Sequence, residues 1–166
     1  MLKGFKTVKE CVDNEELNAY LRACIFDEII PTLDLPEEEL VQYAEDVLER
    51  FANPFVKHQL LSIALNSVSK FKARVLPTIL EYYEANKKLP KCMCFSLAAL
   101  IAFYRTDEAN DGEEIMAFMK DASVASILKE EQYWGCDLSF MLKEVEKWNM
   151  LMAEQGMEAA FKEVLK

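Results

Sequence analysis

The stretch Phe95–Tyr104, FSLAALIAFY, is the longest apolar run in the sequence and the one that decides the fold. Its ten residues are about half of the roughly 20 that a helix needs to cross the hydrocarbon core of a bilayer. Pro90 lies just upstream, and proline is tolerated in the first turn of a helix but not in its interior. The run therefore predicts the most buried helix of a domain, beginning near Pro90, and not a membrane span.

On both sides of this run the sequence has helical periodicity nearly throughout. Between Leu17 and Ile30 apolar side chains recur every three or four positions, behind a cap at Asp13 or Asn14 and before Pro31. The segment after Asp34 has a proline and three acids in its first turn, which predicts a helix running to about Phe51. Alternating strand patterns are missing. We predict an all-α fold, with residues 1–166 forming a single compact multi-helix domain.

Composition narrows the class of protein. The five cysteines are an odd number at irregular spacing, and no basic segment followed by an apolar stretch opens the sequence, so we expect a reduced, cytoplasmic protein without a secretory signal. Cys92 and Cys94 form a close pair, but one histidine and no second cysteine pair leave too few ligands for zinc. We expect no metal site.

Charge is distributed unevenly along the chain. The net charge of −10 argues against binding to nucleic acid, whose phosphates favour clustered cations. Residues 57–105 nevertheless carry eight basic and two acidic side chains. No Asp or Glu occurs between Glu49 and Glu81, and this acid-free segment contains Lys57, His58, Lys70, Lys72 and Arg74. The segment is either a site for an anion or a solvated basic face that pairs with the acidic flanks.

A helix is also predicted behind Asn53-Pro54. Apolar residues from Val56 to Val68 occupy almost its whole circumference, which is typical of a helix packed on several sides. Its polar residues His58, Ser62 and Asn66 stand four apart, with Lys70 next, and this spacing forms one narrow stripe. The stripe predicts the wall of a cleft. Alternatively, His58 and Asn66 bond to neighbouring backbone at helix ends.

Reactive groups typical of an independent enzyme are few. The sequence has no glycine-rich phosphate loop, no Gly-x-Ser-x-Gly elbow and no His-Glu-x-x-His motif. A dinucleotide site requires a strand, a glycine turn and a helix, and none of the three is predicted. We therefore expect no catalytic and no cofactor-binding residue among these 166 residues.

Two stretches carry a family resemblance. Residues 49–77, ERFANPFVKHQLLSIALNSVSKFKARVLP, and residues 26–36, FDEIIPTLDLP, resemble the long-chain mannitol dehydrogenase family, and within it the tagaturonate reductases, also called altronate oxidoreductases. The resemblance implies a substrate-binding carboxy-terminal domain of the helical type found in 6-phosphogluconate dehydrogenase. It also implies an amino-terminal Rossmann-type domain that binds NAD outside these residues, and hydride transfer between tagaturonate and altronate without a metal.

The family's proton-relaying lysine belongs to a Lys-x4-Asn-x2-His motif. Placing that motif on His58 would require lysine at position 50 and asparagine at position 55, where this chain has Arg50 and Phe55. We therefore expect the motif upstream of Met1, and the chain alone to be inactive.

Four residues are candidates for substrate binding: His58, Asn66, Lys70 and Lys72. Lys70 matches a basic position that faces substrate in the family, and an acid-free segment suits an anionic sugar, a uronate or aldonate. Lys72 and Arg74 could instead be solvated or pair with acids. Two alternatives remain open for the function: a mannitol or fructuronate type of dehydrogenase domain, and a non-catalytic helical module that docks an acidic protein. No membrane partner is expected.

Overall fold

The computed structural model describes residues 3–166. Within that range the regular secondary structure is helical, and the sole β-type pairing is an isolated antiparallel bridge between Thr7 and Gln59. The predicted all-α fold is confirmed. The α-helices are α1 (Val8–Asp13), α2 (Glu15–Arg22), α3 (Glu37–Phe51), α4 (Leu60–Ile63), α5 (Ser67–Arg74), α6 (Leu76–Asn86), α7 (Lys91–Tyr104), α8 (Glu113–Asp121), α9 (Val124–Lys129), α10 (Glu131–Trp134) and α11 (Leu142–Val164).

Helix α7 is the centre of the core, as the sequence predicts. It begins directly after Pro90, and nine of its residues are buried. Its main neighbour is α11, where the ring of Trp148 meets that of Phe95 edge to face at 5.6 Å between centroids. Burying one large apolar side chain of this kind contributes about 1.5–3 kcal/mol. No helix in residues 3–166 is long and apolar enough to span a bilayer.

The amino end of α7 is capped from a distant part of the chain. Residues Ala23–Ile29 continue α2 as a π-helix, and a 3₁₀ turn, Ile30–Thr32, follows it. Glu28 in the π-helix is buried, and its two carboxylate oxygens accept the backbone N–H groups of Cys92 at 2.6 Å and Met93 at 2.8 Å. Burial raises the pKa of Glu28, while these hydrogen bonds act in the opposite direction.

Most predicted helix boundaries are confirmed. The Asn14 side chain caps α2 by accepting the N–H of Leu17, and α3 begins after Pro36 with three acids in its first turn. Gly156 has φ of 83° and breaks α11 before its last two turns. A left-handed backbone of this kind is reached at low cost by glycine, which has no Cβ.

The prediction of a helix directly after Asn53-Pro54 is wrong. The chain is irregular from Asn53 to Gln59, α4 has only four residues, and α5 starts after Asn66, whose φ of 52° is left-handed. Residues around His58 bond to the amino-terminal segment instead: Val8 N–H donates to the His58 carbonyl at 3.0 Å and Leu60 N–H to that of Lys6 at 2.8 Å.

The prediction that this segment is packed on several sides is also wrong. Phe55 is 93% exposed, Leu61 46% and Ile63 49%, while only Ala64 and Val68 between positions 55 and 68 are buried. An apolar pattern therefore does not by itself show that a segment is buried within its own domain.

Candidate functional site

A groove runs along the face of the domain formed by α5 and α7. The carboxyl end of α11 and the segment from Lys3 to Leu17 close its other side, and it encloses a cavity of about 470 Å³. Its lining is mainly apolar and includes Phe71, Leu100 and Phe103. Two lysines and one arginine, Lys3, Lys70 and Arg74, line the same groove.

Each of these cations has a different environment. The Lys3 side chain is nearly buried, donates to Glu16 at 2.7 Å and lies 5.0 Å from the centre of the Phe161 ring. Lys70 is half-buried, and its Nζ donates to the Ile63 carbonyl at 2.8 Å across the left-handed turn at Asn66. Arg74 is exposed at the end of α5. The groove therefore combines an apolar lining with positive charge at its edge.

The other three candidate residues lie elsewhere. His58 is exposed in the irregular segment before α4. Asn66 is exposed at the start of α5, where its side chain makes no capping bond, and its N–H donates to the Asn110 carbonyl at 3.2 Å. Lys72 packs against the turn at Gly135, where an added Cβ would lie 3.1 Å from Lys72 Cε.

These positions do not form the stripe that the sequence predicts. Four-residue spacing produces a stripe only on a continuous helix, and the left-handed backbone at Asn66 interrupts this one. Lys70 and Lys72, two apart on α5, point to different sides of that helix. The structure brings Lys70 together with Lys3 and Arg74, but not with His58 or Lys72.

The basic side chains of the acid-free segment are not neutralised by the acidic flanks. Within residues 3–166, no carboxylate lies within 4.0 Å of the charged atoms of Lys57, His58, Lys70, Lys72 or Arg74. The ion pairs in this range involve other cations, such as Arg22 with Glu45. This segment therefore makes no direct ion pair with the acidic flanks in the described part of the chain, and the exposure of Lys57, His58 and Arg74 agrees with a solvated basic face.

A hydrogen-bond network that the sequence analysis missed fixes the start of α5. The buried Tyr104 hydroxyl accepts the Val68 N–H at 3.1 Å and donates to the Asp111 carboxylate. Burial and, next, the bond to Asp111 raise the pKa of Tyr104, so the hydroxyl keeps its proton. The sequence signal for this network is Asp111, which lies in the loop after an apolar helix that ends in Tyr104. The loop 106–112 is thus tied to α5 and not merely a surface connection.

The cysteines form no reactive or metal-binding arrangement in the part of the chain that the structure describes. Groups of three or more His, Cys, Asp and Glu side chains with metal-binding geometry do not occur there. Burial is the main cause that raises the pKa of Cys92 to about 12, and the same cause raises that of Cys24 to about 12. These two thiols therefore stay protonated near neutral pH.

Comparison with known proteins decides the family. The family model described as the mannitol dehydrogenase C-terminal domain matches residues 1–165. The chain belongs to this family. This match confirms the family resemblance of residues 49–77. It also agrees with the predicted all-helical fold, which the structure has.

Curated relatives of this mannitol dehydrogenase C-terminal domain are named altronate oxidoreductase. The protein of Bacillus subtilis (strain 168) is 40% identical over 177 residues, covering 98% of this chain and 36% of the relative. That of Yersinia enterocolitica is 36% identical over 181 residues, covering 96% of this chain and 38% of the relative. The chain therefore spans little more than a third of the length of these relatives.

Two solved structures have the same fold. Pseudomonas fluorescens mannitol 2-dehydrogenase, in a ternary complex with NAD and D-mannitol, superposes with a TM-score of 0.85 at 21% identity, over 99% of this chain and 36% of the other. A substrate-free D-sorbitol dehydrogenase gives a TM-score of 0.81 at 23% identity, over 96% and 36%. At these identities the likeness establishes the fold.

Proposed function

We propose that this domain forms the substrate side of an NAD-dependent oxidoreductase that interconverts tagaturonate and altronate. The proposal is supported by the altronate oxidoreductases that match almost the whole chain. The observation that carries it is the acid-free segment, whose cations have no carboxylate partner among residues 3–166. A chain with a net charge of −10 would otherwise be expected to repel an anionic sugar.

The physical argument concerns the sugar carboxylate. Tagaturonate and altronate both carry a carboxylate, which mannitol lacks. A charge-assisted hydrogen bond from one lysine contributes about 1.5–3 kcal/mol. Since 1.4 kcal/mol corresponds to about a factor of ten in affinity, one such bond is enough to discriminate a uronate from a neutral polyol.

Lys70 is our first candidate for that bond. An ammonium group has three donors, and one of them is used by the Ile63 carbonyl. The remaining two can bind a carboxylate outside the groove, at the surface where α4 meets α5. That first bond also restricts the side chain, so that less rotational freedom is lost on binding.

The other candidates lie away from the groove. His58 is exposed before α4 and Asn66 is exposed at the start of α5, while Lys72 is half-buried against the turn at Gly135. We propose that His58 and Asn66 bind sugar hydroxyls once a second domain closes over them. Lys72 is expected to act through the charge of the segment rather than by direct contact.

The described residues do not fit NAD itself. A dinucleotide site requires a strand, a glycine turn and a helix, and residues 3–166 contain no strand beyond the Thr7–Gln59 bridge. We propose that an amino-terminal Rossmann-type domain outside these residues binds NAD, that no metal takes part, and that the 166-residue chain is inactive by itself. Its own residues bind and orient the sugar.

The test is a measurement of NADH oxidation by the protein that the complete reading frame encodes. Tagaturonate, fructuronate and fructose are supplied as separate substrates, and the wild type is compared with Lys70→Ala and Lys88→Ala. Lys88 is exposed in the turn before α7, so its substitution makes the same change of charge away from the site. We expect turnover with tagaturonate, and a KM raised about tenfold or more by Lys70→Ala alone.

The alternative functions give different results. Turnover of fructose without tagaturonate would place the protein with the mannitol dehydrogenases and contradict the carboxylate argument. A preference for fructuronate would keep the anionic sugar but change the substrate. No NADH oxidation with any of the three would favour a non-catalytic interaction module.

A further inference from the structure

Helices α5 and α7 each turn a regular stripe of side chains toward the groove. On α5 the stripe is Ser67, Lys70, Phe71 and Arg74, and on α7 it is Ser96, Ala99, Leu100 and Phe103. Both follow the spacing i, i+3, i+4, i+7, which is the pattern by which a helix packs against another helix. The two stripes face a common cavity rather than each other.

The size of the stripes defines what the groove can accept. Seven residues along an α-helix span about 10 Å, or two turns. An occupant that contacts both stripes along their length therefore presents about two helical turns of its own. This is the geometry of recognition in which an amphipathic helix binds a hydrophobic groove through positions i, i+3, i+4 and i+7.

A sugar does not suit the same cavity. Its hydroxyls would lose their bonds to water, and each unpaired polar group costs about 1–3 kcal/mol in a protein interior. The described lining contains few polar partners apart from the charged groups named above, and one of them, Ser96, is already bonded to the Tyr20 hydroxyl. The groove and the proposed sugar site are therefore two different surfaces that meet near Lys70.

The amino-terminal segment lies along this groove. Lys3 and Phe5 line it from one side, opposite α5. Lys3, the first residue that the structure describes, therefore lies at the groove. The curated relatives are long enough to contain preceding residues, since this chain covers 36% of the Bacillus subtilis protein and matches a C-terminal domain.

We propose that the groove binds an amphipathic helix from the polypeptide that directly precedes this domain in the full-length enzyme. The apolar face of that helix packs on Phe71, Leu100 and Phe103, and an acidic side chain on its edge pairs with Arg74. The inference rests on the proposed function in one respect, namely that the domain is part of a longer enzyme. It adds that the groove is a site of assembly and not the site of the sugar.

The experiment uses the 166-residue chain and peptides. Overlapping fluorescein-labelled 20-residue peptides cover the 80 residues of the Bacillus subtilis altronate oxidoreductase that precede its matched region, and binding is measured by fluorescence anisotropy. One amphipathic peptide is expected to bind and to become helical by circular dichroism. Ala99→Arg, which fills the floor of the groove, should weaken that binding tenfold or more, and Arg74→Glu should weaken it severalfold at low salt.

Met150→Arg is the matched control, because Met150 is 60% exposed on α11 and does not line the groove. The Met150→Arg variant should bind the peptide as tightly as the wild type does. Arg74 is exposed, so Arg74→Glu remains informative if Ala99→Arg fails to fold.

Two outcomes overturn the inference: no peptide binds, or binding is indifferent to both groove variants. If decanoate binds the groove while no peptide does, the groove is a site for a small amphiphile. The assay contains neither sugar nor NADH. A failure of the proposed substrate therefore leaves a positive peptide result intact, and the reverse also holds.

Discussion

Helix α7 and the segment from Phe55 to Leu65 are similarly apolar in sequence and opposite in environment. In α7, Phe95 is 1% exposed, whereas Phe55 is 93% exposed. The difference is in the neighbours: α7 packs against α5, α8, α11 and the π-helix Ala23–Ile29. The backbone of the Phe55–Leu65 segment bonds to the amino-terminal residues, and most of its apolar side chains are exposed. Similar apolar patterns can thus belong to a buried helix or to an exposed surface patch, and the tertiary packing determines which of the two is formed.

The strongest test of this contrast is the same substitution in both regions. Phe95→Ala removes a ring packed against Tyr20, Trp148 and Phe161, and we expect the free energy of unfolding to fall by about 3–5 kcal/mol. Phe55→Ala removes an exposed ring and should change it by about 0.5 kcal/mol or less. Urea unfolding followed by circular dichroism measures both, and equal losses would mean that Phe55 is packed in solution.

A second test concerns how the buried region is capped. Glu28→Ala leaves the N–H groups of Cys92 and Met93 without their partner in a buried position, and unfolding should become easier by about 1–3 kcal/mol. Glu37→Ala, at the exposed start of α3, is the control and should cost about 1 kcal/mol or less. If the two variants are equally stable, solvent reaches the start of α7.

The pH dependence of stability gives the smallest expected effect. Burial raises the pKa of Glu28 above its ordinary value of 4.5, so the folded state binds this proton more tightly than the unfolded chain does. The stabilisation from protonation is therefore fully present below pH 4.5 and is lost as the pH rises through the folded pKa.

Glu28→Gln isolates this contribution, because the other carboxyl groups are common to both proteins. The free energy of unfolding of the wild type minus that of the variant should decrease between pH 4 and pH 7, in a series of urea titrations. An increase over that range would show that the hydrogen bonds from α7 outweigh burial and lower the pKa.

Local signals in the sequence predicted most helices correctly. Asn14, Pro36 and Pro90 each mark the start of a helix that the structure contains, because capping and the missing proline N–H act within one turn. Asn53-Pro54 has the same local signal and fails. There the backbone forms tertiary bonds to residues 6–8, which no window of local sequence can reveal.

The candidate site was predicted less completely than the fold. Charge patterning located the acid-free segment, and its cations form no ion pair with a carboxylate among residues 3–166, which agrees with a surface available to an anion. The stripe failed because it assumed one helix, and the left-handed turn at Asn66 redirects Lys70 toward the groove. Lys3, which joins Lys70 in the groove from 67 positions away in the chain, could not be assigned from spacing.

The π-helix Ala23–Ile29 sets the direction of the chain that follows it. Its bonds reach one residue farther than those of an α-helix, so this turn accommodates an additional residue. If the same residues wound as an α-helix, the additional residue would rotate everything downstream by about 100°, since 3.6 residues make a full turn. Glu28 would then leave the start of α7, to which it bonds across 64 positions of chain. The wide turn is therefore what directs the Glu28 carboxylate to the start of α7.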